Sequence, residues 1–128
     1  PELYHQASRV LRILGRSQDA AASLRAALAL EESASWQNDL GELLEEEGQH
    51  ADALPCLQRA LELEPEEPLY HRNVGVALEK LHRYEAAREA LEEAVRLRPG
   101  YKDALGHLAS VTAKITLERE IKKRSSQS

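Results

Sequence analysis

A five-position apolar spacing occurs three times along this chain and limits what it can fold into. From Ala53 the apolar residues fall at Ala53, Leu57, Ala60, Leu61 and Leu63; from Ala20 at Ala20, Leu24, Ala27, Leu28 and Leu30; from Ala87 at Ala87, Leu91, Ala94, Val95 and Leu97. Steps of four and seven return to one face of a helix, so each copy predicts an amphipathic helix. The origins stand 33 and 34 residues apart (20 to 53, then 53 to 87). A period of about 20 to 50 residues marks stacked repeats, because no single copy can bury its apolar face alone.

A second helix precedes each of these at a constant offset: Ala7, Ser8 and Leu11, then Leu40, Gly41 and Leu44, then Val74, Gly75 and Leu78. Each pair predicts a helical hairpin. The small residue at Ser8, Gly41 or Gly75 lets the two backbones approach closely. Gly15 and Gly48 suit the short turn between helices, which the third copy makes with His82. Pro65 and Pro99 close the second and third copies by denying the helix its next backbone donor. If the helix holding Pro55 begins near Ala51, that proline lies in the first turn, where its missing donor is unpaired anyway. Either Ser33 or Ser35 can cap the helix that follows.

From Lys102 a further first-type helix is expected, with Ala104, Leu108, Val111 and Ile115 on one face and Leu108-Ala109 standing where Val74-Gly75 stands one copy earlier. It is expected to fray past Thr116 and to be over by Arg124. Leu117 and Ile121 fall well away from the Ala104 face. The rival expectation for them is a second apolar face that docks on a partner or on another copy of the chain.

The second copy, from Ala34 to Glu67, with Leu40-Gly41, Leu44, Gly48, Ala53, Leu57, Ala60 and Pro65, resembles a tetratricopeptide repeat, and the third copy, from Pro68 to Tyr101, resembles one equally well. The first, from Pro1 to Ser33, is degenerate: Ala7-Ser8 stands where the family prefers a large apolar residue followed by Gly or Ala, and Glu32 stands in place of proline. Trp36 and Tyr70 lie one place earlier than the family's aromatic position. The resemblance implies an all-α fold, a right-handed α-solenoid of three helical hairpins. The hairpins would cover residues 1–33, 34–67 and 68–101, followed by a capping helix over 102–124 and a disordered tail over 125–128.

Composition narrows the function. A net charge of -5 gives no basic footprint for nucleic acid. With one Trp, four Tyr and neither Phe nor Met, the seam between repeats must be filled by Leu, Ala and Val, in one domain with a continuous core. Leu57→Ala is accordingly expected to loosen the stack. Cys56 is the lone cysteine, which excludes an internal disulfide and a cysteine metal cluster, and its place beside Leu57 reads as a packed thiol rather than a nucleophile. The five histidines (His5, His50, His71, His82, His107) include no metal-binding pair at helical spacing with a glutamate between, and no Gly-rich phosphate loop is present. Glu45-Glu46-Glu47 reads as a solvated face. No enzyme activity and no cofactor is expected. The chain as given shows neither a signal leader nor an apolar run long enough to span a membrane, so a cytoplasmic place without membrane insertion is expected. It starts at Pro1 inside helical patterning, as a fragment of something longer would.

What the family resemblance implies for function is a concave groove lined by the first helix of each repeat, receiving a peptide or helix from a partner protein. Its equivalent positions are Gln6, Asp39, Asn73 and His107; His5, Asn38, Arg72 and Gly106; Arg9, Glu42, Val76 and Ser110; and Arg12, Glu45, Glu79 and Ala113. Asn38 and Asn73 suit a peptide backbone because an amide both donates and accepts, and Arg72 can fork onto a carboxylate. The competing reading has these residues only bond one another, with Arg9 facing Glu42 and Arg12 facing Glu45. Adding Glu2, Glu46, Lys80, Asp103 and Lys114 to the named lining leaves carboxylates in excess of cations, so the groove as a whole is expected to repel a strongly acidic tail. The leading expectation is a noncatalytic interaction scaffold. The alternatives are a self-associating scaffold and an accessory region that positions substrates for a larger enzyme.

Overall fold

The protein, described over residues 1–127 by a computed structural model, carries seven α-helices and no strand among the described residues. They are α1 (Glu2–Ile13), α2 (Ser17–Leu30), α3 (Ala34–Glu46), α4 (His50–Leu63), α5 (Pro68–Lys80), α6 (Tyr84–Leu97) and α7 (Lys102–Gln127). The expected hairpins are α1–α2, α3–α4 and α5–α6. Where the sequence reads as one continuous seam, the helices group into two compact units, the first from Pro1 to Glu66 and the second from Glu67 onward.

The turns inside the hairpins follow from backbone sterics. Gly15 and Gly48 take φ of +76° and +75°, and His82 takes the same left-handed conformation at 60°. In each turn the next backbone N–H reaches back to a carbonyl five residues earlier, as in Arg16 to Leu11, Gln49 to Leu44 and Arg83 to Leu78. Ser33, not Ser35, caps α3, its hydroxyl accepting from the Trp36 N–H at 3.3 Å. Pro68 opens α5 as its first residue, where no donor is needed.

In the first unit α2 packs on α1 and α3, and α3 on α4. Ala20, Leu24, Ala27, Leu40, Leu43, Leu44, Ala53, Leu57 and Ala60 form its core. In the second unit α6 packs on α5 and α7, with Val74, Ala77, Leu78, Ala87, Leu91, Ala94, Val111 and Ile115 inside. The first three positions of the repeated spacing are fully buried in every copy, but the fifth is not: Leu30 and Leu63 are exposed. A step of ten residues rotates a helical position about 80° off the core direction, which puts it on the flank.

Two expectations need correction. Helix α4 begins at His50, and Ala53 already donates to Gln49, so Pro55 lies beyond the first turn and α4 lacks one helical bond at the Ala51 carbonyl. Ala51 and Pro55 are both exposed, so the open carbonyl faces solvent. Second, α7 does not end by Arg124 or fray past Thr116 but continues to Gln127. From Thr116 to Gln127 there is no Gly or Pro to stop it, and the stretch is rich in Glu, Lys and Arg, which are good helix formers. Arg119 also ties the helix to Glu85 of α6 at 3.2 Å. Of the tail expected over 125–128, Ser128 lies outside the described residues.

Candidate functional site

The face of the first unit that bears the expected binding residues is formed by α1 and α3. His5 stacks on Trp36, ring centroids 5.4 Å apart, while its Nε2 lies 3.1 Å from Asp39 and its Nδ1 3.4 Å from Glu2. Asn38 is 4% exposed and donates to Glu42 at 3.0 Å. Arg12 ion-pairs with Glu46 and lies 3.8 Å from Glu42. The Glu46 hydrogen bond, and the charges of Glu46, Glu42 and Asp39 after it, hold the Arg12 guanidinium above its ordinary pKa despite some burial. A cavity of about 260 Å³ lies between the helices, with His5, Ser8, Arg9, Arg12 and Asp39 around it and Leu24 and Leu43 beneath.

The expected pairing of Arg9 with Glu42 and of Arg12 with Glu45 is not what the fold makes. The α1–α3 bonds join residues 34 apart, His5 to Asp39 and Arg12 to Glu46, one more than the 33-residue offset of equivalent positions. A long side chain leans along its helix, so it meets the neighbour beside its equivalent rather than the equivalent itself. Gln6 and Arg9 are left exposed, without a hydrogen bond or ion pair among the described residues. Glu45 receives His50 at 2.9 Å on one oxygen, and its other oxygen is buried with no hydrogen-bond partner in the described structure.

In the second unit the corresponding face is formed by α5 and α7. Arg72 donates to Asp103 at 2.5 Å and to the Asn73 side-chain oxygen Oδ1 at 2.8 Å. Asn73 is 5% exposed and Val76 half-buried. The Arg72 hydrogen bond holds the Asp103 carboxyl below its ordinary pKa. His107 bridges two carboxylates, its Nδ1 3.2 Å from Glu79 and its Nε2 3.5 Å from Asp103.

Glu79, absent from the expected binding set although it stands in the fourth row, is the centre of this face. It is 7% exposed, and α7 brings three donors to it: Lys114 at 2.7 Å, Ser110 at 3.1 Å and His107 at 3.2 Å. Burial pushes the Glu79 carboxyl up, but the hydrogen bonds from Lys114, Ser110 and His107 and the Lys114 charge outweigh it and hold it below the ordinary range. The Lys114 ammonium also sits 5.6 Å from the Tyr84 ring centroid, and the Tyr84 hydroxyl lies 2.7 Å from His82 Nδ1. Around this cluster opens a depression of about 680 Å³, rimmed by Lys80, His82, Tyr84, Lys102, Asp103, Gly106, His107, Ser110 and Lys114. A glutamate on a half-apolar stretch of α5 is the sequence signal that points to it.

Elsewhere, Cys56 donates weakly to the Asp52 carbonyl at 3.9 Å, and burial pushes its thiol up, which opposes the thiolate a nucleophile needs. No group of His, Cys, Asp and Glu among the described residues could hold a metal ion, and no described helix is long and apolar enough to cross a membrane.

The tetratricopeptide repeat family model matches residues 6–54 and 39–102. The chain belongs to the tetratricopeptide repeat family. Among known relatives, the TPR repeat-containing thioredoxin TTL4 of Arabidopsis thaliana is 39% identical over 71 residues, 56% of this chain; the chain spans 10% of that protein's length. Among solved structures, MamA (41-end) of Desulfovibrio magneticus RS-1 matches with a TM-score of 0.86 at 23% identity, covering 99% of this chain and 72% of its own. The first TPR of Spaghetti (RPAP3), solved bound to an HSP90 peptide, matches with a TM-score of 0.85 at 14% identity, covering 89% of this chain and 91% of its own. These two likenesses establish the all-α repeat fold.

Proposed function

We propose that this chain is a noncatalytic protein-interaction scaffold that takes a peptide or helix of a partner protein on the first-helix faces of its repeats. The observation that carries this reading is the division of labour on those faces. The buried amides Asn38 and Asn73 and the charges around them are tied into fixed networks, while Gln6 and Arg9 project outward with no bond to another described residue. A fixed floor with open polar groups suits recognition of a partner segment. The peptide held by the Spaghetti repeat supports the same use of the fold. A cytoplasmic place belongs to this reading.

The test is affinity capture with the intact chain against two variants. Gln6→Ala with Arg9→Ala touches only exposed groups and should fold as wild type; Asn38→Ala, Arg72→Ala, Asn73→Ala removes the network. A partner held by wild type is expected to be lost by the triple variant and weakened roughly tenfold by the double, about the effect of one or two good polar contacts. Equal retention by wild type and the well-folded double variant would reject the first-helix face of the first unit as a working surface.

A second reading has its own observation. Leu117 and Ile121 are 60% and 58% exposed on a helix that continues to Gln127, which fits self-association through α7. Replacing both by Glu is expected to reduce the solution mass measured by light scattering if copies pair there; an unchanged mass removes this reading. The thioredoxin relative gives support to a third, in which the repeats position substrates for an attached enzyme.

A further inference from the structure

We propose that the depression on the α5–α7 face of the second unit binds the carboxylate side chains of an acidic partner segment, with Lys80 and Lys102 as its charged contacts. This rests on the partner-binding reading above and names the chemistry of what is bound there. Counting charges only at the lining positions of the first helices gives an acidic total, but the total averages two unlike faces. On α1 and α3, Glu2, Asp39, Glu42, Glu45 and Glu46 outweigh Arg9 and Arg12; on α5 and α7, Arg72, Lys80, Lys102 and Lys114 outweigh Glu79 and Asp103.

The two carboxylates at this depression are, moreover, already paired. Glu79 is buried and accepts from Lys114, Ser110 and His107, and Asp103 accepts from Arg72. Each is offset by a cation in contact with it, Lys114 at Glu79 and Arg72 at Asp103. Lys80 and Lys102 are exposed on the rim and have no hydrogen bond or ion pair among the described residues. A concave surface carrying two uncompensated ammonium groups above a neutralised floor concentrates positive potential inside the depression. Lysine ammoniums act as point charges on flexible stems, so they suit several adjacent carboxylates better than one planar group held in a fork.

Nuclear magnetic resonance titration of the intact, isotope-labelled chain tests this with defined probes: an acetylated and amidated hexaglutamate peptide, its glutamine counterpart, and hexaglutamate with a free carboxyl end. Amidated hexaglutamate is expected to shift the backbone amides of Lys80, His82, Lys102 and Gly106, and the glutamine peptide to leave them in place. Lys80→Ala with Lys102→Ala should weaken hexaglutamate binding about five- to tenfold, the loss of two exposed ion pairs, whereas Arg25→Ala on the other unit should leave it unchanged. The assignment is overturned if the glutamine peptide binds equally, if the lysine variant binds as wild type, or if shifts spread over Arg16, Arg25 and Lys122 alike. Binding only by the free carboxyl end would replace it with recognition of a chain terminus. A partner still captured through Gln6 and Arg9 while hexaglutamate fails to bind would leave the scaffold reading standing and remove this one alone.

Discussion

Leu57→Ala is expected to lower the stability of this protein by about 2 to 5 kcal/mol, the cost of deleting a fully buried leucine whose surroundings relax only in part. Leu57 is completely buried in α4, and its Cγ and Cδ2 lie where α3 offers no side chain at all: a Cβ built on Gly41 would stand 2.6 and 2.5 Å from them. Leucine and glycine therefore form one interlock. For a chain of this size the loss amounts to about 3 to 5 °C per kcal/mol in melting temperature, readily seen by calorimetry. The same contact makes a sharper demand. Gly41→Ala alone drives a methyl group into Leu57, an overpacking cost of about 1 to 3 kcal/mol, set against a helix-propensity gain of roughly 1 kcal/mol. In the Leu57→Ala background the clash is gone and the methyl enters vacated space, so Gly41→Ala should become stabilising. Additive effects in the double-mutant cycle, with no change of sign, would falsify the interlock. Gly75 and Leu91 repeat the arrangement in α5 and α6 and should behave alike.

That interlock was legible in the sequence. Gly41 and Gly75 stand at a constant offset from Leu57 and Leu91, and a three-fold recurrence of an Ala–Leu–Ala spacing leaves few ways to fold other than stacked hairpins. The left-handed turns at Gly15, Gly48 and His82 were equally visible, because position in the period, rather than residue type alone, marks His82 as the turn. What the spacing did not reveal was which long side chains would meet. Row equivalence pairs Arg9 with Glu42 and Arg12 with Glu45, yet Arg12 finds Glu46 and Glu42. Backbone periodicity is set by local geometry and carries over between copies, whereas an arginine or lysine head can reach a turn in either direction and takes whichever carboxylate the packing brings nearest.

The same limit hid the cluster at Glu79. Glu45 and Glu79 occupy equivalent places in successive copies, but Glu79 accepts Lys114, Ser110 and His107, while Glu45 is met by His50. Equivalence in the repeat fixes where a side chain starts, and non-equivalent neighbours decide what it becomes. Charge behaves likewise: an acidic total conceals a second unit whose first-helix face is cationic.

Acid should separate Glu79 from its Gln variant in a defined window. In the folded chain the Glu79 carboxyl is held below its ordinary value of 4.5, with burial opposed and overcome by the hydrogen bonds of Lys114, Ser110 and His107. A depressed carboxyl contributes stability that is present above the unfolded value and lost as pH falls through the folded one. At pH 7, Glu79→Gln is therefore expected to cost about 1 to 3 kcal/mol, the range for removing a charged acceptor from buried hydrogen bonds whose half-exposed lysine donor can return to water. Between pH 7 and about 5 Glu79 stays ionised in both folded and unfolded chains, so its own titration leaves the gap between wild type and variant unchanged. Below about pH 4.5 the unfolded chain takes up the proton first, and the gap should narrow until it closes at a pH under the folded value. Lys114→Ala should act in the same sense: burial of Glu79 remains while its shortest hydrogen bond is removed, so the variant loses most at neutral pH and recovers relative to wild type on acidification. Denaturant unfolding of the three proteins from pH 7 to pH 3 measures all of this. A wild-type to Gln gap that stays constant through the acid range would mean that the carboxylate is not the group that holds α7 against α5.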